Sequence, residues 1–194
     1  MNTHLKLSTF LALIVLGFFA YPRAASAQPY VTAAAGVSGS NIDCGTFPSC
    51  ERTGVAFNVT GGDRLARWFA GEAVYLDFGD SRKSSNFSED TMKTSGVGGG
   101  VAFHGHAGSW TVTARAGAAR AAAERVVSVG QVKFDGVTFS DVAPYAGVGL
   151  SYRFTSYVAL TFGFDAMRSR WERSDGQGWT WMATAATAGV TIGR

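Results

Sequence analysis

Residues 144–154 read PYAGVGLSYRF, residues 155–156 read TS, and residues 157–167 read YVALTFGFDAM. In the first run Ala146, Val148, Leu150, Tyr152 and Phe154 alternate with Tyr145, Gly147, Gly149, Ser151 and Arg153. In the second, Val158, Leu160, Phe162 and Phe164 alternate with Ala159, Thr161, Gly163 and Asp165. Successive side chains of a strand point to opposite faces, so each run has one apolar face and one small or polar face. Two such runs joined by two residues read as an antiparallel hairpin.

The same pattern extends outward. Val55, Phe57 and Val59 oppose Ala56, Asn58 and Thr60, and Trp110, Val112, Ala114 and Ala116 oppose Thr111, Thr113, Arg115 and Gly117. Strands are expected over 29–37, 54–60, 68–78, 95–104, 110–121, 142–154, 157–167 and 179–192. The connections alternate in length. Residues 38–53, 79–94, 122–141 and 168–178 are long and polar (122–141 with room for a strand extension). Gly61-Gly62-Asp63, 105–108 and 155–156 are short. Tight turns at one rim and longer loops at the other are the pattern of a transmembrane barrel. The expected fold is all-β: an eight-stranded antiparallel up-and-down transmembrane β-barrel, with both termini at the short-turn rim.

A soluble barrel shows the same alternation turned inside out, with the apolar face lining a cavity. Two observations favour the membrane. The second face is rich in Gly, Ala and Thr, which suits the crowded interior of a narrow barrel. The aromatics Trp68, Phe69, Phe78, Trp110, Tyr152, Phe154, Tyr157, Trp179 and Trp181 gather near strand ends, where an interfacial girdle belongs.

The chain's address is written in residues 1–27. Lys6 is followed by the apolar run 7–20 and then by Ala25-Ser26-Ala27, the pattern of a cleaved secretory signal. A membrane anchor is the alternative, and the run is short for a span of ~20 residues. The domain boundary is therefore expected at 27/28, with the barrel over 28–194. Of 17 Lys+Arg and 14 Asp+Glu, residues 1–27 hold Lys6 and Arg23 and no acid, leaving a near-neutral 15 against 14. The basic precursor thus gives no reason to invoke nucleic acid. Cys44 and Cys50, with Gly45 and Pro48 between them, read as a local disulfide of an exported protein.

Three stretches carry a family resemblance. Residues 71–79, GEAVYLDFG, residues 144–154 and the closing AGVTIGR are similar to strands of the outer membrane protein A-like family of eight-stranded barrels. The chain departs from that family in ending on Arg194 where an aromatic residue is read by the barrel-insertion machinery. It shows no peptidoglycan-binding domain after the barrel, so no cell-wall tether is expected. The resemblance implies an outer-membrane location, contact with outer-membrane lipid and lipopolysaccharide, and an interior ion-pair network that plugs the lumen. Glu72, Arg115, Arg153 and Asp165 fall on the inward face and are the expected members, because charges inside a barrel must pair or meet water. A conduction gate is the other use for the same pairs. Trp68, Trp110, Tyr152, Phe154, Trp179 and Trp181 are the expected interfacial aromatics.

Catalysis and cofactors find little support in the residues. The expected mature chain holds only His104 and His106, placed at the short-turn rim, and Gly-x-Ser-x-Gly is missing. The His-Gly-His turn is expected to be solvated rather than a metal pair, since a further ligand is missing nearby. The expectation is therefore a monomeric structural barrel without cofactor or enzymatic activity, serving envelope integrity and displaying four outer loops. Two alternatives stand beside it: an adhesin or host-interaction surface binding an extracellular ligand through the loops, and a narrow porin-like channel for small solutes.

Overall fold

The computed structural model describes residues 28–193, except 42–43, 46–47, 86–87, 130–131 and 173–177. Residues 1–27 and Arg194, on which the signal and C-terminal expectations fall, lie outside the described residues. Nine strands follow in chain order: β1 (Gln28–Ser40), β2 (Ser49–Glu51), β3 (Thr53–Ala66), β4 (Phe69–Ser84), β5 (Ser88–Ala107), β6 (Trp110–Val129), β7 (Val132–Arg153), β8 (Val158–Glu172) and β9 (Gly178–Gly193). All but β2 form one closed antiparallel ring, in which each strand pairs with two neighbours. The ring closes where β1 meets β9, from Tyr30↔Gly193 to Ser40↔Ala183. Closure satisfies backbone groups that a lipid-exposed sheet edge would leave unpaired.

The short turns lie at 67–68, 108–109 and 154–157, at the rim that also holds Gln28 and Gly193. Gly108 takes the left-handed turn of β5–β6 at φ 60°. Outward-facing Val31, Val55, Phe57, Val101, Val112, Val148, Leu150, Phe162, Phe164 and Val190 are all exposed and form an apolar band around the ring. In water such a surface would be an aggregation site; in lipid it is the contact surface. On β6 and β8 the outward series gives way to Arg120 and Arg168, which marks where the band ends.

The expected faces of the strands at 54–60, 110–121, 142–154 and 157–167 all point as the alternation requires. Strand lengths differ from expectation. Residues 79–94 are strand almost throughout, as β4 runs to Ser84 and β5 starts at Ser88. Likewise 122–129 and 132–141 are the outer ends of β6 and β7, which pair with each other. A transmembrane strand needs ~10 residues, so β5, β6 and β7 stand well clear of the lipid. Beyond the lipid the outward face need not be apolar, so the sequence there loses its alternation and reads as a loop. The register shift between Asp77 and Asp80 is a bulge. At that bulge Gly79 has φ 65°, and its N–H donates to Asp77 Oδ1 at 2.8 Å.

Gly61-Gly62-Asp63 is not a turn. These residues continue β3, paired with Val31, Tyr30 and Pro29 of β1, and the chain reverses at Arg67-Trp68. Gly62 serves a neighbour instead: a Cβ there would strike the Tyr30 ring.

Candidate functional site: the barrel interior

The inward positions form three layers. At the end away from the short turns the filling is apolar. Leu76 and Phe78 from β4, Tyr145 from β7, Met167 from β8 and Trp181 from β9 pack with Ala56, Ala119, Ala121, Ala143, Ala183 and Ala185. Alanines and glycines make this possible in so narrow a tube. Tyr145 lies against Gly100 and Gly117, where a Cβ would collide with its ring and hydroxyl, and the Met167 sulfur sits over Gly96. The far end of the lumen is thus filled at side-chain density.

The middle layer is an ion pair with its polar supports. Arg115 Nε lies 3.5 Å from Asp165 Oδ1, and the two side chains are 7% and 0% exposed. Asn58 Nδ2 donates to Asp165 Oδ2 at 2.8 Å, and Arg115 donates to Thr60 Oγ1 at 3.1 Å. Removing both charges from water is costly, and these additional hydrogen bonds offset part of the cost.

The layer at the short-turn rim is polar and encloses a cavity of about 60 Å³. The Tyr30 hydroxyl donates to Glu72 Oε1. Arg64 stacks over the Tyr30 ring, its guanidinium carbon 5.4 Å from the centroid. Arg153 is exposed as a residue, yet it lines the same cavity from the rim.

Of the four charges expected inside, Arg115 and Asp165 pair, Glu72 joins Tyr30, and Arg153 stands at the mouth. Tyr30, Arg64 and His104 are interior residues that the sequence reading did not place there. His104 is 7% exposed and faces inward, with Nδ1 3.0 Å from Thr113 Oγ1. The expectation of a solvated turn fails for it because β5 continues to Ala107, carrying His104 on the same face as buried Ala102. His106 bonds to Thr111 Oγ1 at 3.0 Å and to the Arg67 carbonyl at 3.1 Å. Among the described residues no group of three or more His, Cys, Asp and Glu is placed to hold a metal ion.

The aromatic residues divide. Trp68, Trp110 and Phe154 are exposed and Tyr152 is half-buried. Trp68 stacks on Phe103, while Trp110, Tyr152 and Phe154 form a chain of ring contacts. These sit at the short-turn rim. Trp181 and Phe78 do not belong to a girdle. Trp181 is 5% exposed, points inward and meets Phe78 edge-on, because it shares parity with the inward Ala183 and Ala185. The Trp179 side chain lies outside the described residues.

Beyond the band, Cys44 and Cys50 form a disulfide with a Cα–Cα distance of 5.9 Å. Cys50 lies in β2, which pairs with the outer end of β4. On the β5–β6 extension Arg125 grips both carboxylate oxygens of Asp90 at 2.7–3.1 Å, and this hydrogen bonding raises the guanidinium above its ordinary pKa.

A closed antiparallel ring with an apolar outer band and a packed interior defines a transmembrane β-barrel of the bacterial outer membrane. The chain belongs to the outer membrane protein beta-barrel domain family, whose model matches residues 10–192. Neisserial surface protein A, NspA, is similar at 14% identity and TM-score 0.60, over 84% of this chain and 96% of that one. Ail, the attachment invasion locus protein of Yersinia pestis, solved with the heparin analogue sucrose octasulfate, matches at 13% identity and TM-score 0.50, over 84% and 99%. The outer membrane protease OmpT of Escherichia coli matches at 7% identity and TM-score 0.51, over 90% and 99%. At these identities the likeness speaks to the fold alone. A comparison with curated proteins finds no match. The protein resides in the bacterial outer membrane.

Proposed function

We propose that this protein is a closed, non-enzymatic structural barrel that contributes to envelope integrity and presents its hairpin extensions at the cell surface. The observation that carries this reading is the apolar filling of the far end of the lumen, where Met167, Leu76, Phe78, Tyr145 and Trp181 pack in one cluster, none more than 5% exposed. The buried Arg115–Asp165 pair beneath it ties β6 to β8 across the interior. Ring closure gives the barrel no need of a second copy, so it acts as a monomer. Arg120, Arg168 and Arg170, exposed just beyond the apolar band, suit the phosphate groups of lipopolysaccharide. The test is conductance of the purified protein in a planar bilayer. The wild type is silent, and the Met167→Ala/Trp181→Ala double variant opens discrete steps. Wild-type steps that change with Glu72→Gln would overturn this reading and establish the narrow channel.

A second reading rests on the β6–β7 extension. Val129, Val132 and Phe134 are exposed at its tip, beyond the lipid band, where apolar side chains are unexpected unless something meets them. This favours an adhesive role for the outer hairpins toward an extracellular ligand, the kind of role that Ail's name describes for that protein. Deleting 126–137 leaves the barrel folded and, on this reading, abolishes attachment of cells displaying the protein to a heparin-coated surface. Unchanged attachment would remove it.

A further inference from the structure

We propose that the outer end of the β6–β7 hairpin docks on the phospholipid bilayer of a facing cell, through a patch formed by Val127, Val129, Val132 and Phe134. This names the partner of the adhesive reading above and rests on it.

A bulge assembles the patch. Nearer the membrane β7 alternates strictly, with Val142 69% exposed on the outward face and Ala143 buried on the inward one. On that parity Val132 and Phe134 would face outward with Val142. The register shifts between Arg125 and Val127, so the three steps on β7 from Val137 to Phe134 oppose two on β6. Phe134 therefore stands opposite Val127, and Val132 opposite Val129. Directly opposed residues of an antiparallel pair share a face. Val127 and Val129 continue the parity of buried Ala119, Ala121 and Ala123, so all four apolar residues gather on that face. Bulges that re-aim side chains in this way are built features rather than defects.

Val129, Val132 and Phe134 are 46%, 58% and 54% exposed. Polar residues border them. Ser88 and Asp90 of β5 pair with Val129 and Val127, and Arg125 holds Asp90 by both oxygens. An apolar patch with a polar border, standing clear of the barrel's own lipid, marks a contact surface.

Size and charge decide the occupant. These four side chains offer well under the ~800 Å² per partner that a specific protein complex buries, so they do not hold a second copy or a protein groove alone. A bilayer needs no matching shape, and binding grows with each apolar side chain that enters the interface. Many copies on one cell then act together. Between Glu124 and Asp135 the sequence holds Arg125 and Lys133 and no acid. The end of the hairpin thus brings no negative charge of its own to phosphate headgroups.

The experiment uses bacteria that display the full-length protein and whose lipopolysaccharide lacks O-chains, with fluorescent phosphatidylcholine vesicles as the probe. Vesicles are expected to bind these cells, as counted by flow cytometry. Phe134→Ser is expected to keep the fold, as read by heat-modifiable gel mobility, and to lower vesicle binding about tenfold. Val132→Cys supplies one free thiol, since Cys44 and Cys50 are bridged, and carries an environment-sensitive dye. Vesicles are expected to shift its emission to the blue, and vesicle lipid brominated on the acyl chain to quench it. Vesicle binding untouched by Phe134→Ser, or a dye that stays in water, would overturn the proposal. Cells that clump with one another and ignore vesicles would overturn it too, assigning the patch to a second copy. If vesicles fail to bind while deletion of 126–137 still abolishes attachment, the lipid partner falls and the adhesive reading stands.

Discussion

Gly147 and Asp165 face each other as register partners on β7 and β8, and the Asp165 carboxylate occupies the place where a Cβ on Gly147 would stand. Arg115 Cγ closes the same space from β6, 3.1 Å from that position. The buried ion pair exists because position 147 has no side chain.

Gly147→Ala therefore displaces Asp165 from Arg115. The expected cost is about 1–3 kcal/mol, the range for overpacking a filled interior. Urea unfolding in lipid vesicles checks it. An alanine variant as stable as the wild type would show that the pair tolerates displacement.

Removing one partner of the pair costs more than removing both. Asp165→Asn strands a buried guanidinium and is expected to destabilise the barrel by about 3–5 kcal/mol. The Arg115→Met/Asp165→Asn double variant recovers most of that loss. If the single and double variants unfold at the same urea concentration, the two charges are not coupled.

The tryptophans differ in what surrounds them. Trp68 and Trp110 are 60% and 46% exposed on the lipid side, whereas Trp181 is 5% exposed in the interior. In single-tryptophan variants reconstituted with brominated lipid, fluorescence from Trp68 and Trp110 is quenched and that from Trp181 persists. Strong quenching of Trp181 would reverse the parity of β9.

The Cys44–Cys50 bridge closes a short loop, worth about 2 kcal/mol of unfolded-state entropy to that loop. Reduction is expected to expose residues 41–53 to protease while the barrel keeps its heat-modifiable mobility on a gel. Loss of the barrel on reduction would mean that the bridge supports the whole ring.

The ring was legible because lipid on one side and a packed lumen on the other impose period two on each spanning segment. The strand ends were not, because beyond the lipid the outward face need not be apolar and the alternation fades. Gly61-Gly62 carries turn chemistry in its composition, yet Gly62 is kept small by Tyr30, a partner on another strand. Trp181 could have been placed by continuing the parity of Ala183 and Ala185; an aromatic near a strand end suggested a girdle instead. The inward Val74, Leu76 and Phe78 of β4 invert the rule that apolar faces point to lipid, and they do so where they join the buried apolar cluster of the lumen.

On the closed-barrel reading proposed above, a tube filled by side chains at one end and open at the other is a one-mouthed vessel. In barrels of this class the short-turn rim faces the periplasm. On that reading its contents exchange with a single compartment, so the composition of the growth medium is invisible to Arg115 and Glu72 except through the periplasm. A solute added outside intact cells cannot titrate these groups until another route has carried it across the membrane.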